Sequence, residues 1–497
     1  MENDRKFSQE SPNLALIQVP TNWDDIKKRH VETLYPFSLL YLASHLKKNN
    51  IRSQVIDCLA AKFDLQDLGK RLKKLNPDII GFTSTTVNRF NTLNSVRYIK
   101  KILPNAKIIL GGRHFSYVRE ETLHKVPEVD FVVSGEGEIT LLELVKCIRS
   151  NGRFDKIKGI TFRNEGNIIR NQPRQVHGKI DDFDLLPEGD MDIIGKYNFF
   201  IPMRHFRYNS IPILVGRGCP NKCTFCVQRT DTYRVRGIDS VMREIDRKYN
   251  QTGNKFINFI DPALTIRRKF VYELCQALDD YPVNFKWYCE GRADTPVETI
   301  KRMSRSGCIA LDFGLESGSL KVLKAIQKGI KLDQAQSFAK LCHSLNIKNL
   351  VFTMVSMPEE TEKDAQMTLD FLKIISPYVH TYVNAVMQIF VGTKLEIQAR
   401  EKGILPKSFS WFDEGFMQPI KEFGPSTIPI YYEHLTPDYI MAWQKEFQRI
   451  RDKYASDYRY EVKTKIGLTL FDWRHENLKD KMIRIKRAAE MARNKLF

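Results

Sequence analysis

The sequence predicts an α/β protein. An N-terminal Rossmann-like, doubly wound domain is followed by a partial or full (β/α) barrel and then a helical C-terminal region. Three observations predict this. Short apolar runs alternate with amphipathic stretches in two separate series, the pattern of parallel sheets buried on both faces. The 497 residues leave room for two or three domains, at about 150 residues each. The apolar content, 42% of residues, is that of an ordinary globular chain and excludes collagen, coiled coil and wholesale disorder.

The first series opens with a strand at Leu14–Val19 and an amphipathic helix over Phe37–Asn49. A second strand, Ser53–Asp57, precedes a helix over about Leu65–Leu75. Strands at Asp78–Thr83, Lys107–Leu110 and Phe131–Val133 follow, and a helix at Ile139–Arg149 closes the domain, which is placed at residues 10–150. In a doubly wound sheet the ligand lies at the carboxyl ends of the strands. Those ends carry Thr83, Ser84 and Thr85, then Gly111, Gly112 and His114, then Gly135, Glu136 and Gly137. Any one of these glycines is accounted for by a tight strand-to-helix turn. Three such sites in succession predict backbone approaching a ligand. No G-x-G-x-x-G follows the first strand, so an ordinary nicotinamide site is not indicated.

Residues 151–205 read as a linker, with a hairpin at Gly159–Arg163 and Asn167–Arg170 and an acidic crossing at Asp181–Pro187. The second series, placed at residues 206–425, has strands at Pro212–Val215, Phe256–Ile260, Phe285–Cys289, Ala310–Leu315, Leu350–Met354 and Thr381–Ile389. Helices fit between them at Val241–Tyr249, Lys269–Asp279, Val297–Ser304, Leu332–His343 and Glu362–Ile374. Six β-α units predict an active site at the strand C-termini. Residues 426–497 are expected to be mainly helical.

The chemistry concentrates directly after the first barrel strand. Nine cysteines are too few and too scattered for a disulfide scaffold. Cys58, Cys147, Cys275, Cys289, Cys308 and Cys342 read as reduced core thiols. Cys219, Cys223 and Cys226 fall within eight residues. Three thiolates in one loop can cap three corners of an iron–sulfur cube and leave one iron open for chemistry. A structural zinc site needs a fourth ligand from a second knuckle, and the sequence has none.

The spacing Cys-x3-Cys-x-aromatic-Cys, with Phe225 as the aromatic, resembles the signature of the radical S-adenosylmethionine (SAM) superfamily. Asp261 after FINFI, Glu290 and Arg292 in WYCEGRAD, and Glu316-Ser317-Gly318-Ser319 after LDFGL resemble later strand-end segments of that family. The resemblance implies a [4Fe-4S] cluster on Cys219, Cys223 and Cys226. It also implies a SAM pocket touching Phe225, Asp261, Glu290, Arg292, Glu316 and Ser317. Taken singly, an acidic residue or arginine at such a position also serves as a helix cap or loop ion pair. Two segments depart from the pattern, Ser356–Thr361 in place of Gly-x-Pro-Gly-Glu-Thr and Val391–Lys394 in place of Pro-Gly-Thr-Pro.

The N-terminal segments VETLYPFSLLYLASHL, VIDC, GFTSTT, GGRH and VDFVVSGEGEITLLEL resemble the cobalamin-binding domain of B12-dependent radical SAM enzymes. The expected cobalamin contacts are Thr83, Ser84, Thr85, Gly111, Gly112, His114, Gly135, Glu136 and Gly137. Asp-x-His-x-x-Gly, which supplies a histidine to cobalt in other B12 proteins, is absent from the chain.

The resemblance implies methylation of an unactivated carbon or phosphorus through a 5′-deoxyadenosyl radical and methylcobalamin. A cyclase, oxidase or rearrangement enzyme without net methyl transfer is the alternative. A non-catalytic corrinoid or Fe–S sensor is a reading of another class. The implied partners are a small-molecule, peptide or lipid substrate and an electron donor such as flavodoxin or ferredoxin. Lys and Arg outnumber Asp and Glu by 78 to 59, giving a net charge of +19. Part of this sits on a basic amphipathic stretch, Asn477–Phe497, which suits either docking on the barrel or peripheral contact with an anionic membrane. No nucleic-acid-binding signature accompanies the charge. The charged N-terminus and the lack of a spanning apolar run predict a cytoplasmic protein.

Overall fold

The computed structural model describes residues 14–24, 35–175, 201–203, 206–230, 232–262, 264–414 and 428–454. Seven strands build the first sheet: β1 (Leu14–Gln18), β2 (Ser53–Asp57), β3 (Ile79–Thr83), β4 (Lys107–Gly111), β5 (Phe131–Val133), β6 (Ile160–Asn164) and β7 (Asn167–Arg170). Their order is β2-β1-β3-β4-β5-β6-β7. The first five pair in parallel, and β6 and β7 add antiparallel. The predicted hairpin therefore forms, but as the edge of this sheet and not as a free connector. Ser134 N donates to Gly159 O at 2.9 Å and continues the β5–β6 ladder beyond the strand.

The chain leaves β1 toward β2 and then reverses to β3, so the topological switch point lies between β1 and β3. Asn88 closes that crevice from below, donating to Val19 O at 3.0 Å and accepting from Thr85 N at 2.9 Å. Leu14, Leu16 and Ile79 face one core layer, and Ala15, Ile17, Ile80 and Phe82 face the other. This is the two-sided burial that unbroken apolar strands require.

The second unit comprises β8 (Ile201–Met203), β9 (Phe206–Leu214), the short β10 (Gly216–Arg217) and β11 (Arg234–Val235), β12 (Phe256–Ile260), β13 (Lys286–Gly291), β14 (Cys308–Glu316), β15 (Leu350–Val355) and β16 (Thr381–Val386). Strands β9, β12, β13, β14, β15 and β16 lie side by side in parallel, and β8 pairs antiparallel outside β9. Among the described residues β16 and β9 do not pair, so of the two predicted forms the barrel takes the partial, six-stranded one.

The helix Ile238–Thr252 is fixed to β9 by a buried charge network. Glu244 pairs with Arg236 and, at 2.7 Å, with Lys248, and all three side chains are fully enclosed. Lys248 also donates to Pro212 O and Arg236 to Leu214 O, both at 3.0 Å. The helix Pro437–Tyr454 docks on the helix Glu362–Ile375, with Trp443 Nε1 donating to Ala365 O at 2.8 Å. The amphipathic stretch Asn477–Phe497 and the crossing Asp181–Pro187 lie outside the described residues. Among the described residues no helix is long and apolar enough to cross a membrane. Of the six dispersed cysteines, five are buried and Cys147 is half-buried; all are free thiols.

Removing one member of a buried ion network strands the others without a counter-charge. Glu244→Ala is expected to destabilise the protein by about 3–5 kcal/mol, read as a fall in the chemical-denaturation midpoint. A loss below about 1 kcal/mol would mean that Arg236 and Lys248 find other partners.

Candidate functional site

The cysteine loop rises from the end of β9 through a two-stranded neck. Gly216 and Arg217 of β10 pair antiparallel with Val235 and Arg234 of β11. Within the loop, Thr230 N donates to Cys219 O at 3.0 Å and Cys226 N to Cys223 O at 3.3 Å. Thr224 anchors the middle to the barrel: its N–H donates to Ile326 O and its carbonyl accepts from Leu395 N, each at 3.0 Å. Gly218 has φ +83°, and a Cβ there would fall on Thr230 and the carbonyl of Thr232, so the tight entry to Cys219 requires glycine.

Cys219 and Cys223 are buried, Cys226 is half-buried, and none is in a disulfide. Burial pushes the thiols of Cys223 and Cys226 up, and neighbouring cations oppose the shift: Lys328 and Arg292 at Cys223, Lys328 and Arg113 at Cys226. Cys223 and Cys226 thus share a cation-lined neighbourhood, and Cys219 stands in the same loop; among the described residues no three His, Cys, Asp or Glu side chains are already drawn together as a metal site. By chemistry and spacing the three free thiols would suit thiolate ligation of an iron–sulfur cluster, whose negative charge those cations would balance. Two sulfurs also accept hydrogen bonds, Cys219 from Asn221 Nδ2 at 3.1 Å and Cys226 from Gln228 N at 3.3 Å. Such bonds tune a cluster's potential.

The structure gathers Glu316 and Arg292 to this loop and adds a residue the sequence did not single out. Glu316 ends β14 at φ +66°, and Lys328 Nζ donates to its Oε1 at 2.6 Å. Burial disfavours the Lys328 ammonium, yet Glu316 and Cys223 hold its pKa above the ordinary lysine value. Arg292 is clamped to Asp294 through Nε and Nη2, each 2.9 Å from a carboxylate oxygen. Glu290 ends exposed near the close of β13, and Phe225 packs half-buried against the core.

Two of the expected SAM contacts hydrogen-bond within the protein. Asp261 lies behind Gly216, where a Cβ would overlap its carboxylate, and it accepts from Tyr233 OH at 2.9 Å. Ser317 is fully buried, with its hydroxyl 3.2 Å from Thr368 Oγ1. It pins the Glu316–Ser319 turn to the helix Glu362–Ile375, whose Asp364 accepts from Ser319 Oγ at 2.7 Å. Neither role has a local signature, because each partner is distant in sequence.

At the first sheet, Thr83, Thr85, Gly111, Gly112, Gly135 and Gly137 line the carboxyl edge as expected, none of them fully buried. Gly112, at φ +88°, lies so close to the Ser84 backbone that a Cβ would collide with it, whereas the Cβ position of Gly135 faces open space. Val87, Tyr117 and Ile139, on the segments after β3, β4 and β5, are large apolar side chains left 42%, 52% and 37% exposed. Glycine-bordered backbone and an exposed apolar rim along one sheet edge fit a large, flat macrocycle such as a corrin.

Three of the expected cobalamin contacts turn their side chains to partners within the protein. Ser84 is buried and its hydroxyl bonds Asn88 Oδ1 at 3.0 Å. His114 is fully enclosed, with Nδ1 3.2 Å from Thr86 Oγ1 and its ring edge-on to Trp411. Burial and the nearby Arg89 push its pKa down to about 3, and its Nε2 is buried without a hydrogen-bond partner. Glu136 turns away from the sheet edge and pairs with Arg217 at 3.3 Å and with Arg234.

The two units meet here. Arg217 also pairs with Glu138 at 2.7 Å and lies 5.1 Å from the centroid of the Tyr41 ring. Arg113, directly after Gly112, donates to Val227 O, one residue beyond Cys226. Arg89 Nε donates to Trp411 O at 2.9 Å, and its guanidinium lies 4.0 Å over Phe90. The carboxyl edge of the first sheet is therefore bolted to both ends of the cysteine loop.

Residues 29–145 match the model of the B12 binding domain, and residues 213–372 match that of the Radical SAM superfamily. The chain is 28% identical over 365 residues to the uncharacterized methyltransferase PH0819 of Pyrococcus horikoshii, covering 72% of this chain and 77% of that protein. It is 27% identical over 345 residues to the anaerobic magnesium-protoporphyrin IX monomethyl ester cyclase of Cereibacter sphaeroides, covering 67% of this chain and 55% of that one. The fold resembles the cobalamin-dependent S-adenosylmethionine radical enzyme OxsB, solved with aqua-cobalamin bound. The TM-score is 0.69 at 16% identity, over 99% of this chain and 72% of that chain.

The departing segment Ser356–Thr361 keeps an acid in a particular state. Glu360 accepts from Ser356 N at 2.6 Å and Met357 N at 3.0 Å, and burial pushes its pKa up to about 7. A raised carboxyl pKa favours the native state while the group is protonated; that stability is full below the ordinary value of 4.5 and is lost as pH rises through about 7. Glu360→Gln is expected to melt like the wild type near pH 4 and to be the more stable protein above pH 7. Parallel melting curves across that range would overturn the assignment.

Proposed function

We propose that this chain, a cobalamin-dependent radical SAM enzyme built from a B12-binding domain and a radical SAM domain, methylates an unactivated carbon or phosphorus of its substrate. Its cofactors are a [4Fe-4S] cluster, SAM and cobalamin. One observation carries the reading: the apolar, glycine-bordered edge of the first sheet abuts the loop of three thiols through Arg113 and Arg217. A methyl carrier on that edge and a radical generator on that loop would share one mouth. When bound, cluster and corrinoid supply one-electron cleavage of SAM and carriage of its methyl group.

The chain's own residues hold and shape this site. Cys219, Cys223 and Cys226 supply three ligands and leave one corner of a cube open to SAM. Lys328 and Glu316 form a charge pair beside the thiols, able to meet the carboxylate and ammonium of a bound amino acid. Arg292 is prevented from swinging by Asp294. The contact between the two units would bring the edges that hold the two cofactors together.

The relative named as a methyltransferase supports methyl transfer, since it aligns over 77% of its own length. A second reading, ring formation without net methyl transfer, is favoured by the cyclase, of which the chain spans about half. The substrate would be a small molecule, peptide or lipid, and a flavodoxin- or ferredoxin-type donor would supply the electron.

Cys→Ala at position 219, 223 or 226 is expected to leave a folded protein that forms no 5′-deoxyadenosine from SAM. Retained deoxyadenosine after anaerobic reconstitution would sink the ligand assignment. With methyl-labelled SAM, mass spectrometry of the product is expected to show the label gained. An unlabelled, cyclised product would favour the second reading.

A further inference from the structure

The neck of the cysteine loop holds a charge problem that the barrel does not solve. Arg217 of β10 and Arg234 of β11 are direct cross-strand partners. Like charges opposite one another in an antiparallel pair repel and open it. This ribbon has only two residue pairs, Gly216 with Val235 and Arg217 with Arg234, so little else in its own ladder offsets the repulsion.

The counter-charges come from the other unit. Glu136 bridges both arginines, and Glu138 pairs with Arg217 at 2.7 Å. Their carboxylates lie on Gly135–Glu138, the loop that follows β5 at the corrin-facing edge. Two cations and two anions make the enclosed cluster neutral, with side-chain exposures of 17% and 12% for the arginines and 27% and 11% for the glutamates.

We infer that Glu136 and Glu138 are positioning residues for the cluster loop: by neutralising the Arg217–Arg234 pair they hold its neck closed, so that retention of the iron–sulfur cluster depends on the B12-binding domain. The inference rests on Cys219, Cys223 and Cys226 being the cluster ligands. The neck brackets all three, since Arg217 stands two residues before Cys219 and Arg234 eight after Cys226. Opening it would expose the cluster to solvent. The base of the loop is held independently by the barrel, through Arg236 N to Val215 O at 2.9 Å and Tyr233 to Asp261. Loss of the carboxylates should therefore loosen the loop and leave the fold intact.

The test uses the full chain, reconstituted anaerobically and challenged with the ferrous chelator bathophenanthroline. Glu136→Gln with Glu138→Gln is expected to release iron about tenfold or more faster than wild type, since a buried pair has lost one partner. Hydrogen exchange should rise at residues 216–235 and stay unchanged in β12–β15. Adding Arg217→Met and Arg234→Met to that variant removes the repelling pair and is expected to restore slow release. Release at the wild-type rate from the double variant, or release from the quadruple variant as fast as from the double, would overturn the inference. If the double variant does not accumulate, the quadruple variant decides alone, its wild-type retention supporting the inference and fast release overturning it. A wild-type protein that loads no iron would defeat the ligand assignment instead, so the two failures are distinguishable.

Discussion

The four-residue charge cluster of Glu136, Glu138, Arg217 and Arg234 is the interaction on which the site depends. A doubly wound sheet offers its ligand edge in one direction, and a barrel offers its mouth in one direction. Neither domain architecture dictates that the two openings should face each other. The carboxylates and guanidiniums favour the docking in which both find partners, because burying either set without the other would leave charges without counter-ions. Arg113 on Val227 and Arg89 on Trp411 extend the same constraint along the interface. Hydrophobic area alone would permit sliding; directional, charge-assisted bonds set the registration.

Much of the architecture is legible in the chain because its causes are local. The strand series was readable from five-residue apolar runs such as LALIQ and FINFI, buried on both faces as such runs require. The three cysteines were readable because their spacing lies within one loop. What was not legible depends on partners far away in sequence. Arg217 and Glu136 are 81 positions apart, and Arg89 and Trp411 are 322 apart. Lys328 sits between ordinary loop residues, and only the fold carries its ammonium to Glu316 and Cys223.

The edge residues whose side chains turn into the protein share a physical reason. His114, Ser84 and Glu136 do follow strands at the ligand edge, as position suggests. Position fixes where a Cα lies, not which way the side chain turns. His114 turns inward to Thr86 and Trp411, Ser84 to Asn88, and Glu136 to the arginines. Asp261 and Ser317 behave alike: each hydrogen-bonds a neighbouring segment. The exposed Val87, Tyr117 and Ile139 were the complementary signal, visible only once the edge was assembled.

The chain order of the charge cluster bears on biogenesis. A ribosome delivers the N-terminal unit first, and domains generally fold as they emerge. Glu136 and Glu138 therefore stand on a formed sheet edge before Arg217, the three cysteines and Arg234 have been synthesised. The cysteine loop is the late arrival and meets an edge already in place. The last bolt, Trp411 against Arg89 and His114, closes only after the six barrel strands are complete.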